Sequence, residues 1–185
     1  IPLVPVYLDS PLAIGVTDIY KKYENYFNKS VISTIDKGDG LIFKFPQLIL
    51  TKTTEESKAI EFSSPCKIII AGSGMSNGGR ILHHEIDFLP DPKSTLLLVG
   101  YQVPGSLGRI LQDGAKRVTI YGQSVRVEAQ IENILGYSAH KDSDHLLEFV
   151  ADSQKTLKEV FCVMGEPKSA LFLVQRIRDY LDIKA

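Results

Sequence analysis

No run of eighteen or more apolar residues occurs in the 185-residue sequence, so no segment is long enough to cross a bilayer as a helix. There is no basic N-terminal region followed by a cleavage site; Ile1 to Asp9 reads as a short strand, which argues against a signal peptide. An initiator methionine is missing, and the expectation is that these residues come from the interior of a longer protein. Cysteine is scarce. Cys66 and Cys162 are far apart and form no CxxC pair or Cys/His cluster, so no structural zinc site is expected. Each lies in or beside an apolar strand, which predicts buried thiols and suits a reducing, cytoplasmic compartment. Excess charge is absent as well. The net charge of −1 gives no bulk argument for nucleic-acid binding, and any basic surface has to be local. Internal repeats and low-complexity segments are lacking too.

What remains is an ordinary globular balance, with 44% hydrophobic and 23% charged residues, enough for one large domain or one plus a small appendage. Short apolar runs alternate with segments of helical period. Leu3 to Leu8 is the first run. A helix after it places Leu12, Val16, Ile19, Tyr20, Tyr23 and Phe27 on one stripe. Gly38 and Gly40 mark a turn. Thr53-Thr54-Glu55-Glu56 predicts a capping box opening a short helix. Lys67 to Ala71, Thr95 to Val99 and Val118 to Tyr121 are compact apolar strands. Ser106 is placed to cap a helix and Gly114 to end it. Continuously apolar strands separated by helices predict an α/β fold with a parallel sheet covered on both faces.

The pattern changes near residue 123. From Val125 to Ile131 apolar residues alternate with Arg126, Glu128 and Gln130, which predicts a strand with one wet face. Beyond it come a helix with Leu146, Leu147 and Val150 on one face, a strand from Val160 to Val163, and a last helix carrying Ala170, Leu173, Val174, Ile177 and Leu181 on one stripe.

Three stretches could carry chemistry. The loop Gly72-Ser73-Gly74-Met75-Ser76-Asn77-Gly78-Gly79-Arg80 joins a strand to a helix; small residues let backbone N–H groups approach an anion there. A tight sheet-to-helix connection is the plain alternative. Asn77 stands in the third glycine's place of the dinucleotide fingerprint and no acidic residue follows as expected, which argues against a nicotinamide cofactor. His83 and His84 are adjacent on the next helix and diverge by about 100°, so they do not easily face one metal, and an ordinary helix position is the plainer reading. His140-Lys141-Asp142-Ser143-Asp144-His145 is superficially similar to a His-x-His-x-Asp-His zinc signature. The second His is replaced by Asp142 and a helix begins about there, which rejects the match. A lone His at a strand's end is a general acid or base only in the right surroundings.

Taken in order, these and further stretches have one more reading. Asp9-Ser10-Pro11-Leu12-Ala13 follows the first strand. Then come the Gly72–Arg80 loop, Gly100-Tyr101-Gln102 with Gly105-Ser106-Leu107-Gly108-Arg109, Gly136-Tyr137-Ser138-Ala139-His140, and Gly165-Glu166-Pro167. The set resembles the β-CASP family of metallo-β-lactamase-fold RNA nucleases, the bacterial and archaeal relatives of the cleavage and polyadenylation endonuclease. The resemblance spans nearly the whole chain. It implies a C-terminal fragment: residues 1–123 as most of the β-CASP cap, and residues 124–185 as the returning segment of the metallo-β-lactamase domain, the RNA-specificity motif region. The family's His-x-His-x-Asp-His metal motif is absent here and is expected upstream.

The resemblance also implies roles. His140 matches the His thought to protonate the leaving oxygen. Gly72, Ser73, Gly74, Arg80 and Arg109 fall where the cap faces the active-site cleft and are the expected RNA-phosphate contacts. Met164 occupies the position where RNA-cleaving members usually have a zinc-ligand His. The expected function is therefore part of a zinc-dependent ribonuclease that acts in RNA processing or degradation. Two zinc ions in the intact parent would activate water and clamp the phosphodiester. The fragment itself is expected to hold no zinc and to be inactive. The alternative is a catalytically weakened paralogue serving as an RNA-binding or scaffold subunit. A DNA-directed member is a third reading, since such members also lack the motif His. Expected partners are single-stranded RNA, the missing N-terminal segment and further copies of the chain; no membrane is expected.

Overall fold

Short apolar runs become strands only where the chain supplies a neighbour for them, and among the described residues it does so in three small sheets. The computed structural model describes residues 3–37, 43, 45–137 and 140–185. In chain order the elements are β1 (Val6–Asp9), α1 (Pro11–Lys22), a 3-10 turn (Glu24–Tyr26), α2 (Lys29–Lys37), β2 (Leu48–Leu50), α3 (Thr54–Ala59), β3 (Ile68–Ala71), α4 (Ile81–Phe88), β4 (Thr95–Val99), α5 (Leu107–Gln112), β5 (Arg117–Ile120), β6 (Gln123–Arg126), β7 (Gln130–Ile134), α6 (Ser143–Ala151) and α7 (Pro167–Leu181). The turn expected at Gly38 and Gly40 lies outside the described residues, as do Ser138 and Ala139. The chain divides into two compact units, Ile1–Tyr137 and Ser138–Ala185.

In the first unit β1 is central, with β2 and β3 parallel on either side of it. β4 pairs in parallel with β7, and β5 pairs antiparallel with β6. The α/β reading with parallel strands therefore holds. Capping agrees with the sequence. Thr53 accepts from Glu56 N–H while the Glu56 carboxylate accepts from Thr53 N–H. Ser106 accepts from Arg109 N–H at 3.1 Å and Gly114 takes φ 90° after α5. Leu82, Leu89, Leu111, Val118, Ile120, Val125 and Val127 form the main core, joining α4, α5, β5 and β6. Each such side chain contributes about 1.5–3 kcal/mol by leaving water.

Five expectations need correction. The parallel sheets are not covered on both faces: Ile68 and Ile70 of β3 are 44% and 50% exposed, and Leu97 and Val99 of β4 are 48% and 51% exposed. Alternate residues point to opposite faces, and the described helices bury one of them. Next, the strand from Val125 to Ile131 is two strands. β5 turns into β6 through Tyr121 and Gly122, both at positive φ, a two-residue hairpin; Glu128 and Ala129 then donate to Leu89 O, and β7 leaves to join β4. In α1 the apolar stripe lies outside: Leu12, Ile19, Tyr20 and Tyr23 are exposed, and the buried side chain is Ile14. Ala13, Ile14 and Thr17 also have helical spacing, and that narrower stripe is the inward one. Cys66 is exposed and Cys162 half-buried, so the thiols are not both core residues.

The fifth correction lies in the second unit. α6 and α7 pack together, with Ile177 and Ile183 buried and Ala170, Leu173, Val174 and Leu181 on the inward stripe of α7 as expected. Arg176 ties the helices by donating to Ser143 Oγ at 2.8 Å and Asp144 Oδ1 at 2.6 Å. Val160 to Val163 is not a strand. Among the described residues its one pairing is a bridge at Glu159 and Lys184, with Val160 N–H donating to Lys184 O at 2.9 Å. Phe161 and Val163 are each 76% exposed. An extended apolar segment without a neighbour has nowhere to send its backbone hydrogen bonds.

Candidate functional site

The Gly72–Arg80 loop follows the C-terminal end of β3, the edge at which parallel sheets place ligand loops. Its shape depends on small residues. A Cβ at Gly79, which has φ 79°, would stand 2.5 Å from Gly72 O. Ser73 N–H donates to Gly78 O at 3.0 Å, closing the loop on itself, and Asn77 N–H donates to Ser73 Oγ at 3.1 Å. The segment after β4 is bolted to this loop. Gln102, 1% exposed, donates from Nε2 to Gly74 O at 2.9 Å. Gly108 N–H donates to Met75 O at 3.0 Å, and Leu107 N–H to Asn77 Oδ1 at 3.3 Å. A Cβ at Gly108 would stand 2.0 Å from Gln102 Oε1, so any larger residue there would displace the Gln102 side chain. Two glycine-rich turns, far apart in sequence, thus form one surface. A cavity of about 560 Å³ opens beside them, lined among others by Asn77, Gly105, Leu107, Arg117 and Tyr121.

Behind the loop is a buried polar hub that sequence reasoning missed. Asp9, fully buried at the end of β1, accepts from Thr51 Oγ1, Ser57 Oγ and Arg80 Nη1 at 2.6 Å each and meets His84 Nε2 at 2.7 Å. Burial pushes its carboxyl up, and the hydrogen bonds from Ser57, Thr51, His84 and Arg80 outweigh this and hold it below the usual carboxylate range. Arg80 also donates to Thr51 O at 2.9 Å and Lys52 O at 3.2 Å. The hub joins β1, the end of β2, α3, the loop and α4. His84 is therefore a buried core histidine, while its neighbour His83 is exposed, with its ring 5.2 Å from that of Tyr121. Asp9 and Arg80 stand in the sequence as members of two separate motifs, and nothing in their spacing linked one to the other.

The expected site residues divide between the two units. Gly72, Ser73, Gly74, Arg80 and Arg109 are in the first, and Arg109 Nε donates to both oxygens of exposed Asp113 at 3.0 and 3.1 Å. His140 and Met164 are in the second, and both are exposed. Met164 is 101% exposed and has φ 66°. Asp142 caps α6, accepting from Asp144 N–H at 3.1 Å and His145 N–H at 3.0 Å, and its side chain meets His145 Nδ1 at 2.7 Å. These bonds, the His145 amide first, hold its carboxyl below the usual range.

Among the described residues no group of three or more His, Cys, Asp or Glu side chains is placed to hold a metal ion. His84 and Asp9 are committed to the hub, Asp142 and His145 to each other, and the Met164 thioether is a soft, neutral donor ill-suited to zinc. The described residues do not build a zinc site by themselves. No described helix is long and apolar enough to cross a membrane.

Residues 1–111 match the Beta-Casp domain, and residues 124–185 match the Zn-dependent metallo-hydrolase RNA specificity domain. The chain belongs to the β-CASP family. A ribonuclease of Thermus thermophilus is 35% identical over 173 residues, 94% of this chain and 39% of that protein. Transcription termination factor FttA of Methanosarcina mazei is 30% identical over 190 residues, 100% of this chain and 30% of that protein. An RNase J-like protein of Methanocaldococcus jannaschii is 32% identical over 180 residues, 97% of this chain and 40% of that protein. The chain spans well under half the length of these relatives.

Proposed function

We propose that this chain supplies the RNA-contacting cap (residues 1–123) and the returning segment (124–185) of a zinc-dependent RNA phosphodiesterase. The observation that carries this is the bolted pair of turns, Gly72–Arg80 and Gly100–Arg109. They present backbone and small side chains as one rigid surface, the arrangement that binds phosphate without sequence preference. Of the two arginines expected to meet phosphates, Arg109 can be redirected more readily. One of its partners, Asp113, is exposed, whereas taking Arg80 from fully buried Asp9 strands a buried charge. Arg80 then serves mainly by holding the loop's shape. His140 is the proton donor to the leaving oxygen. Zinc and its main ligands come from the metallo-β-lactamase segment that the family resemblance places upstream, so the chain alone is inactive.

The first test is anisotropy with a single-stranded RNA. Affinity should fall with salt, and Arg109→Ala should weaken binding and reduce the salt slope by about 0.7. A salt-independent signal, or none at low salt, overturns the reading. In the longer protein His140→Ala should lower turnover by about 10²–10⁴ with zinc content unchanged; loss of zinc instead would refute the assigned role.

Met164 favours a second reading, a weakened paralogue that binds RNA or a partner subunit. An exposed thioether stands where RNA-cleaving members usually have an imidazole. On that reading Met164→His in the longer protein tightens zinc binding and raises cleavage. Two firmly held zinc ions in the unmodified protein, with turnover indifferent to the substitution, speak against it.

A further inference from the structure

We propose that Glu85 is a protonation-controlled latch on the Gly72–Arg80 loop: its neutral form holds Ser76 in place, and its ionised form releases the loop. Glu85 is on α4, only 3% exposed, and Ser76 is 2% exposed. The Ser76 hydroxyl donates to Glu85 Oε1, and this contact holds a non-glycine residue at φ 54° in the middle of the loop. Glu85 Oε2 is buried with no hydrogen-bond partner among the described residues. Other ionisable groups nearby are engaged or outside. On α4, His84 is tied to Asp9, and His83 and Asp87 are exposed; on the loop, Arg80 is tied to Asp9; beyond β4, Arg109 is tied to Asp113; and at β5, on the cavity that Ser76 also lines, Arg117 donates to Ser124 Oγ and Tyr121 is exposed. Among the described residues no cation is paired with Glu85, and burial pushes its carboxyl up to about 7, with the Ser76 hydroxyl pulling the other way.

An ionised carboxylate with one orphaned oxygen is far more costly in the interior than the neutral acid. Admitting water relieves that cost, and the neighbour able to move is Ser76, whose backbone relaxes on leaving the left-handed region. Its flanking residues carry the bolts: Met75 O accepts from Gly108 N–H, and Asn77 Oδ1 from Leu107 N–H. Release of Ser76 therefore loosens both turns at once. Any consequence for RNA rests on the function proposed above, whereas the latch itself does not.

The test is amide exchange by NMR at residues 73–79 and Gly108 of this chain, from pH 4.5 to 8.5, corrected for intrinsic rates. Opening restores Glu85 to its ordinary 4.5, so the opening constant should rise on the order of a hundredfold between pH 4.5 and about 7 and level off above. Glu85→Gln should keep the loop protected at pH 8 with a flat profile. Ser76→Ala should lower protection at every pH. Carboxyl ¹³C shifts in the unaltered chain need no variant: a Glu85 midpoint near 4.5 overturns the proposal. So does a flat profile in the unaltered chain, or a Glu85→Gln profile that still rises. If loop protection follows pH while RNA affinity does not, the latch stands and the RNA role of the loop falls.

Discussion

The two units use similar sequence to different ends. Ile68 to Ala71 in the first unit and Val160 to Val163 in the second are both short apolar runs. The first is a strand beside β1, while the second carries one bridge and leaves Phe161 and Val163 exposed. The first unit anchors its strands by a long-range hub at Asp9 and a seven-residue apolar core. The second relies on a helix pair closed over Ile177. The difference teaches that apolar character makes a run eligible to be a strand, and an available neighbour makes it one. It also assigns the exposed apolar surface of the second unit a physical meaning. An unpaired run that leaves Phe161, Val163 and the adjoining Met164 exposed is sticky. Self-association of the isolated chain through it is an expectation to test by sedimentation.

The sharpest way to break the comparison is to remove the hub. Asp9→Ala leaves buried His84 and half-buried Arg80 without their shared carboxylate and should cost the first unit about 3 kcal/mol in urea unfolding. Signals from α6 and α7 should persist through that transition; their simultaneous loss would show that the units do not unfold separately. Next come the two cores. Leu111 and Ile177 are each 0% exposed. Leu111→Ala should cost about 3 kcal/mol, and Ile177→Ala about 2 kcal/mol, because a two-helix pair collapses around a void more easily than a layered core.

Acidity should separate the units further. Asp9 is held below its ordinary value, so its contribution is complete above the unfolded pKa and is lost as pH falls through the folded one. Glu85 has the opposite sign. Its folded value of about 7 lies above the ordinary 4.5, so stability present below 4.5 is lost as pH rises towards 7 and changes little beyond. Glu85→Gln should therefore stabilise the first unit by on the order of 2 kcal/mol at pH 8 and by much less at pH 4.5, as urea midpoints would show. The smallest effect is expected at the cap of α6. Asp142→Ala should fray Ser143–Ala151, visible as a modest loss of helical circular dichroism, with the first unit's unfolding unmoved.

How legible was all this in the sequence? Local chemistry was readable where neighbours in sequence are neighbours in space. The Thr53–Glu56 capping box, Ser106 and Gly114 around α5, and the inward stripe of α7 appear as expected. So does the glycine-rich loop, because Gly79 is set by a close approach to the Gly72 backbone that admits no Cβ. The stripe on α1 misled because two stripes have helical spacing and periodicity does not say which faces inward. The β5–β6 hairpin was hidden by Tyr121, since two-residue turns of this kind are usually announced by Asn-Gly or Asp-Gly. Family membership was legible from motif order across the chain, a signal to which no single motif amounts.

By itself, then, the sequence determined the α/β class, the glycine-rich turns and their caps, and the family. Each rests on short-range sterics, periodicity or ordered motifs. Only the tertiary structure decided that Asp9, Thr51, Ser57, Arg80 and His84 meet at one buried point, that Gln102 and Asn77 bolt two turns together, and that Glu85 is buried behind Ser76. Those contacts join residues that strand pairing and helix packing bring together, and burial, which changes what a carboxyl group does, depends on the chain that surrounds it.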